Sequence, residues 1–267
     1  MTSDLPAITN IISSSNSNTH INDQQDFLKT EYKKRLVKID QFLNKLTQKK
    51  EFSSSLLISK HGQLLLSKGY GFSDYLTLSN LNTFETVYEV GSLTKEFTAL
   101  IMLKLDEFRL VNLNEDYLSK YLPKYPHSHQ IRIEMLLQHT SGIKDYTELP
   151  LFEKVYVKNR YTLHKLIKLF SHLPLDFKPG TKFEYSNSNY IVLGAVIENI
   201  ISSSSKFDEE YKENAYRQLL YKYILNPVKM EHTIYESGHD DDYYKKGNYA
   251  KKYQIAQGLS SSFGIIL

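Results

Sequence analysis

Apolar side chains recur in steps of three and four along several stretches of the chain, which is the spacing of one face of a helix. The first stretch begins at Leu28 and continues to Leu46, and it predicts an amphipathic helix. The same spacing predicts further helices from Ser92 to about Phe108, from Leu163 to Phe170, from Ile191 to Ile200, and from Phe207 to Ile224. The chain beyond Ser92 is thus predicted to be mostly helical.

Two short apolar runs predict strands instead. Leu56–Lys60 and Gln63–Ser67 flank His61-Gly62, and a two-residue connection with glycine in second place is typical of a tight hairpin. Each run contains three consecutive Leu or Ile residues, so both faces of the hairpin are apolar, which favours a place inside a wider sheet. We therefore expect an α/β domain with an antiparallel sheet, flanking helices and a mostly helical subdomain.

Composition narrows the functional classes. The chain has 267 residues, a net charge of +3 and no cysteine. The basic residues form no focused block, so nucleic-acid binding is not expected. The absence of cysteine excludes disulfides, thiolate zinc sites and a cysteine nucleophile. The nine histidines show no ligand spacing, and neither a metal nor a cofactor is expected.

The N-terminal part of the sequence shows no recognisable targeting signal. No apolar run is long enough to span a membrane. Residues 1–25 are rich in Ser, Asn and Thr and lack the basic start and apolar core of a secretion signal. We interpret them as a disordered leader before a domain at residues 26–267. The compartment stays open: cytoplasmic for the sequence as given, periplasmic if the N-terminus is misassigned.

The candidate chemistry lies at Ser92 and Lys95. In Ser92-Leu93-Thr94-Lys95 a hydroxyl and an amine are three residues apart, so a helix places them on the same face. A lysine beside a serine can take or relay its proton, which makes the serine a nucleophile. The triplet Tyr185-Ser186-Asn187 can add a phenol and an amide to the same pocket. Together these residues indicate acyl transfer through a serine ester.

Ser-x-x-Lys alone is weak evidence, since Ser141–Lys144 and Ser203–Lys206 also fit it. Ser92 differs because it follows Gly91 and precedes a predicted buried helix, whose N-terminus favours a developing alkoxide. Ser141 is predicted in a loop and Ser203 at a solvated helix end. The alternative for Ser92 is an ordinary N-cap, a position where serine is common.

With these motifs in order, the chain resembles the serine β-lactamase and penicillin-binding-protein superfamily, in the branch of class C β-lactamases, D-Ala-D-Ala carboxypeptidases and related esterases. The resemblance extends from about Leu56 to Ser262. It rests on these segments: the hairpin ending Gly69-Tyr70-Gly71, Gly91–Lys95, Met135–Gly142, Tyr185–Asn187, Asn226–Met230 and Ala256–Ser261. It implies a β-lactamase/transpeptidase-like fold and a serine hydrolase of amide, lactam or ester bonds.

The resemblance also implies roles for individual residues. Ser92 would be the acylated nucleophile, and its backbone N–H one half of an oxyanion hole. Lys95 and Tyr185 would share the proton transfers. Asn187 would hydrogen-bond the substrate amide and orient Lys95. The implied partner is a small-molecule or peptide substrate with an acyl bond.

One sequence motif of the family has no counterpart in this chain. The family's Lys/His-Thr/Ser-Gly motif follows the Gly-Leu-Ser segment, and no match to it occurs before Leu267. We therefore expect a chain that is truncated at its C-terminus and that lacks strands of the sheet, with a separate C-terminal fragment as a further partner. Two alternatives stay open: a catalytically inactive family member, or a noncatalytic module that binds peptides.

Overall fold

The structure, a computed structural model, describes residues 19–74, 78–150, 162–209, 212, 214–236 and 264–266. The chain divides into two compact units, Met1–Thr86 and Val87–Leu267. The predicted Gly-Leu-Ser segment at Ala256–Ser261 lies outside the described residues. Within the described ranges, every helix is too short or too polar to cross a membrane.

The first unit joins one long helix to two hairpins. Helix α1 spans Thr19–Gln48. Strands β1 (Ser54–Lys60) and β2 (Gln63–Tyr70) pair antiparallel, and β3 (Phe72–Asp74) pairs with β4 (Ser79–Leu81). The expected hairpin is therefore present, with longer strands than the apolar runs alone indicate.

The turn of the β1–β2 hairpin has the conformation that its sequence predicts. His61 and Gly62 have φ of 49° and 74°, so both lie in the left-handed region that a tight hairpin of this kind requires. In the described part of the chain these strands form a sheet of two. Leu57 and Leu64 are exposed there, so a wider sheet around the hairpin stays a prediction.

Helix α1 is attached to β2 by a half-buried polar contact. Asp40 accepts a hydrogen bond from Lys68 at 2.7 Å and one from Tyr70 at 2.8 Å. Burial raises the pKa of Asp40, but the bonds from Lys68 and Tyr70 outweigh it and hold the pKa below its usual value. The carboxylate is thus charged near neutral pH.

Helix α1 begins earlier than the pattern predicts. It starts at Thr19, within the segment predicted to be a disordered leader, and not at Leu28. Adding residues to an existing helix is far easier than nucleating one, so the helix continues past its last apolar anchor. Residues 1–18 lie outside the described part of the chain.

Within the described residues, the second unit is built from helices and one small sheet. Its elements are α2 (Thr94–Glu107), α3 (Ile133–Leu137), α4 (Leu163–Phe170), α5 (Asn187–Ser203), α6 (Ala215–Leu219), a π-helix (Leu220–Leu225), and the antiparallel pair β5 (Ile234–Glu236) and β6 (Gly264–Ile266). Helices α2, α3, α4 and α6 all contact α5. Helix α5 is therefore the centre of the unit.

The sequence of α5 explains its position. Eleven of its 17 residues are buried, on every side of the helix. Leu193 and Ile197 are among the largest fully buried side chains. A helix that is apolar all round is stable only when other elements cover every face.

The tyrosine-rich segment is not the single helix that its spacing predicts. Asn214, just before α6, has φ −137° and ψ 48°, which is outside the helical region, so no continuous helix passes through it. After α6 the helix widens, and Asn226 donates to the carbonyl of Tyr221 five residues earlier. Tyr216 is held by a 2.8 Å bond between its hydroxyl and Thr98. These tertiary contacts override the local pattern.

Truncating Leu193 to alanine should lower the free energy of unfolding by about 2–5 kcal/mol, because a fully buried side chain leaves a cavity. Leu103→Ala is the matched control, since Leu103 is also helical but 54% exposed, and it should cost less than about 1 kcal/mol. Urea denaturation followed by circular dichroism measures both. Equal losses would contradict the central place of α5.

Candidate active site

Ser92 lies in a single turn of 3₁₀-helix that continues directly into α2. The turn spans Gly91–Leu93, and Gly91 has a φ of +53°, a conformation that favours glycine. The residue that precedes α2 is Leu93, and no side chain caps the helix. The ordinary N-cap alternative for Ser92 is therefore not what the structure contains.

The four residues singled out from the sequence form one closed ring of hydrogen bonds. Ser92 Oγ is 2.7 Å from the hydroxyl of Tyr185 and 3.2 Å from Lys95 Nζ. Lys95 Nζ donates to Asn187 Oδ1 at 2.8 Å, and the Tyr185 hydroxyl donates to the same oxygen at 3.3 Å. Residues more than 90 positions apart in sequence thus meet at one point.

The donor and acceptor capacities of the four side chains determine which atom donates in each bond of this ring. Asn187 Oδ1 can only accept, so Lys95 and Tyr185 both direct a proton at it. With its own proton directed at Asn187, the Tyr185 oxygen is left to accept from Ser92. The Ser92 proton therefore points at Tyr185, while Lys95 donates to the Ser92 oxygen.

Lys95 lies among aromatic rings as well as polar atoms. Its Nζ is 5.0 Å from the ring centre of Tyr185 and 5.6 Å from that of Tyr190. A cation near a ring face is attracted by about 0.5–2 kcal/mol, depending on its hydration. Lys95 is half-buried, whereas Ser92 and Tyr185 are exposed, so the reactive oxygen is open to an incoming molecule.

A loop at residues 139–147, here called the clamp loop, holds the segment that carries Tyr185 and Asn187. Ser188 Oγ donates to the Lys144 carbonyl at 2.7 Å and accepts from the Tyr146 N–H at 3.0 Å. Ser141 Oγ donates to Asn189 Oδ1 at 2.6 Å. All of these bonds join the loop to the first turn of α5.

His139 supports the Tyr185 ring from behind. The two ring centres are 4.6 Å apart, and His139 Nδ1 accepts the N–H of Ser186 at 3.1 Å. Burial lowers the pKa of His139, and the positive charge of Lys95 lowers it further. A neutral imidazole with Nδ1 unprotonated fits all three facts.

The other two Ser-x-x-Lys matches have different surroundings. Ser141 is fully buried in the clamp loop, and Lys144 pairs with Asp176. Ser203 is exposed at the end of α5 and bonds the Asn199 carbonyl. In neither match does the structure pair the serine with its lysine by a hydrogen bond, as it does for Ser92 and Lys95.

Asp145 and Thr147 are polar neighbours of Asn187 that the sequence did not identify as site residues. Asp145 accepts from the backbone N–H and the side-chain Nδ2 of Asn187, at 3.0 and 2.9 Å. An aspartate in a short loop is an ordinary turn residue, so its type carries no signal for this role.

Across the described residues, no group of three or more His, Asp or Glu side chains could hold a metal ion.

The sequence model of the Beta-lactamase family matches residues 39–259. The chain therefore belongs to the beta-lactamase family. The resemblance to penicillin-binding-protein-like serine hydrolases is confirmed by this match and by the relatives that follow.

Two relatives come from Staphylococcus aureus. The chain is 35% identical to "Protein flp" of strain MW2 over 197 residues, which are 70% of this chain and 36% of that protein. It is 32% identical to "Teichoic acid D-alanine hydrolase" over 209 residues, which are 78% of this chain and 46% of that one. The chain thus spans less than half the length of these curated relatives.

Solved structures agree with the fold. FmtA from Staphylococcus aureus superposes with a TM-score of 0.63 at 28% identity, covering 85% of this chain and 61% of that one. The penicillin-binding protein homologue from Pyrococcus abyssi gives 0.67 at 24% identity, covering 86% and 53%, and shows the fold alone. The expected α/β, β-lactamase/transpeptidase-like fold is confirmed.

The lowered pKa of His139 predicts a pH effect on stability. Because folding disfavours its proton, the contribution of the neutral ring is complete above the ordinary pKa of 6.5 and is lost as the pH falls below it. Wild-type protein should lose stability from about pH 7 to about pH 5. Urea denaturation at a series of pH values measures this.

His139→Asn is the informative variant, since asparagine keeps an acceptor and tolerates the φ of 57° at this position. Its stability should depend less on pH over the same range. His172→Asn at an exposed position is the control and should keep the wild-type slope. Equal slopes for all three proteins would show that His139 does not titrate in this way.

Proposed function

We propose that this protein is a serine hydrolase that attacks an amide, lactam or ester carbonyl with Ser92 and forms an acyl-enzyme. The observation that carries the proposal is the 2.7 Å contact between Ser92 Oγ and the Tyr185 hydroxyl, with Lys95 Nζ 3.2 Å from the same oxygen. A nucleophilic serine needs a base within hydrogen-bond reach, and two candidates are in reach here.

Attack by Ser92 requires a base that can accept its proton. Before attack, one proton must already have left the Lys95–Tyr185 pair, giving a neutral amine or a phenolate. Ser92 Oγ then bonds the carbonyl carbon while its proton passes to that base. The base returns the proton to the leaving group as the carbon–heteroatom bond breaks. A water molecule repeats the sequence on the acyl-enzyme and releases the acid, so the base ends as it began.

Asn187 and the turn at Ser92 have supporting roles in this scheme. The Asn187 oxygen holds Lys95 through the 2.8 Å bond, so the amine stays beside Ser92 throughout the cycle. The Ser92 N–H lies at the start of a helical segment, where the dipole favours negative charge. One oxyanion donor is worth about 3–4 kcal/mol of transition-state stabilisation.

The relatives and the exposure of the site support a proposal for the substrate class. Teichoic acid D-alanine hydrolase, at 32% identity, acts by its name on a D-alanyl group. Ser92 and Tyr185 are exposed, so an acyl donor can reach them from solvent. Esters and amides of D-alanine are therefore the first substrates to test, with penicillins as the lactam comparison.

A fluorescent fluorophosphonate should label the protein at Ser92, because phosphonylation needs the same activated oxygen as acylation. Ser92→Ala should abolish labelling. Ser203→Ala is the matched control, since Ser203 belongs to another Ser-x-x-Lys match, and it should label like wild type. Gel fluorescence and intact mass measure this. Absence of an adduct on folded wild-type protein would favour the noncatalytic peptide-binding module or an inactive family member.

Removing either proton carrier should slow labelling by about 10²–10⁴-fold with little loss of stability, because the groups act on chemistry. Lys95→Ala removes the amine, and Tyr185→Phe removes the hydroxyl but keeps the ring. Tyr190→Phe is the control for the second, because its hydroxyl bonds the Leu137 carbonyl outside the ring of bonds. Rates near wild type in both Lys95→Ala and Tyr185→Phe would overturn the proton-transfer scheme.

A further inference from the structure

Asp145 is a buried carboxylate whose two oxygens serve two different groups. It is 7% exposed. Oδ1 accepts the backbone N–H and the hydroxyl of Thr147, both at 2.9 Å. Oδ2 accepts the backbone N–H of Asn187 at 3.0 Å and its side-chain Nδ2 at 2.9 Å. The carboxylate thus links the turn at Thr147 to the first residue of α5.

We propose that Asp145 is a positioning residue that fixes which end of the Asn187 side-chain amide faces Lys95, and thereby the direction of every hydrogen bond around Ser92. This inference rests on the proposed function, because the direction of those bonds matters only if Ser92 reacts. The hydrogen bonds that Asp145 accepts come from Thr147 and Asn187, and not from Ser92, Lys95 or Tyr185. It acts through Asn187.

The reason lies in the hydrogen-bonding capacities of the two side chains. An ionised carboxylate only accepts, whereas an amide presents an acceptor on one side and donors on the other. The NH₂ group of Asn187 must therefore face Asp145, where the Thr147 hydroxyl lies 3.4 Å away as a second partner. The amide oxygen is then left to face Lys95 and Tyr185.

The opposite orientation would break the site. The NH₂ group would meet Lys95 Nζ and the Tyr185 hydroxyl, and the 2.8 Å bond from Lys95 would become a contact between two donors. The Tyr185 proton would lose its acceptor and turn towards Ser92. Ser92 could then no longer direct its own proton at Tyr185, and the directions of the hydrogen bonds at the nucleophile would be reversed.

A purely structural role does not account for the Asp145–Nδ2 bond. The clamp loop is already joined to α5 by Ser141, which bonds Asn189, and by Ser188, which bonds Lys144 and Tyr146. None of these contacts involves the Asn187 side chain. The bond from Nδ2 to Asp145 is therefore the contact of this set that determines the orientation of the amide.

The test compares Asp145→Asn with Ser141→Ala, which removes a clamp bond of the same loop without touching Asn187. Asp145→Asn should slow fluorophosphonate labelling of Ser92 by about 10–100-fold, as expected when a reacting group is misdirected. Ser141→Ala should label within about threefold of wild type once both variants are compared below their thermal transitions.

Exchanging the amide and the carboxylate between positions 145 and 187 gives a further test. A purely structural role of Asp145 predicts no recovery of the labelling rate in the exchanged variant. Asn187→Asp alone places two carboxylates face to face and should also label slowly. In the double variant D145N/N187D, the new amide can donate to the new carboxylate, which still accepts from Lys95 and Tyr185. The double variant should therefore label faster than either single variant, although each single change is harmful.

Two results would overturn the inference: Asp145→Asn labelling no more slowly than Ser141→Ala, or a double variant no faster than the faster of the two single variants. Failure of wild-type protein to label would instead overturn the proposed function. The crystal structure of Asp145→Asn then decides the positioning question independently of activity. Loss of the 2.8 Å contact between Lys95 Nζ and Asn187 Oδ1 supports the inference, and its retention refutes it.

Discussion

The hydrogen bonds that Asp145 and His139 accept from the N-terminal end of α5 are the contacts on which the site depends. Helix α5 is buried on all sides, so its first turn has a fixed place in the second unit. The first N–H groups of a helix have no partner within the helix. Here the partners come from a distant loop: Asp145 accepts from Asn187 and His139 accepts from Ser186. Ser186, which precedes α5, makes no side-chain cap of its own.

The Asp145 carboxylate affects both the stability of α5 and the orientation of the Asn187 side chain. A carboxylate at a helix N-terminus is favoured by the helix dipole, so Asp145 stabilises α5 where the dipole is positive. The same carboxylate selects the orientation of Asn187, the first residue of the helix. Stability and reactivity are therefore linked at one residue, and a change at Asp145 should affect both.

Burial is graded across the site in a way that suits nucleophilic chemistry. Asp145 and His139 are buried, Lys95 is half-buried, and Ser92 and Tyr185 are exposed. Hydrogen bonds that set orientation gain strength where water is excluded. The oxygen that would attack faces solvent and substrate. The directing groups thus lie behind the reacting ones.

Much of this could be predicted from local sequence. The spacing of Ser92 and Lys95 follows from one helical turn, the hairpin turn at His61-Gly62 from the freedom of glycine, and the helices α4 and α5 from apolar periodicity. The family motifs added Tyr185 and Asn187 to the candidate site. Each of these signals depends on residues close together in the chain, where sequence spacing fixes geometry.

Other features were decided by tertiary structure alone. Asp145 faces Asn187 across 42 positions, and its type is common in turns, so nothing local distinguishes it. The break at Asn214 and the π-helix after α6 depend on how Tyr216 and its neighbours pack. The sequence by itself determined the β1–β2 hairpin, the helices α2, α4 and α5, and which serine is the candidate nucleophile. The direction of the hydrogen bonds around that serine was decided only when distant segments met, because donors and acceptors choose partners by position in space.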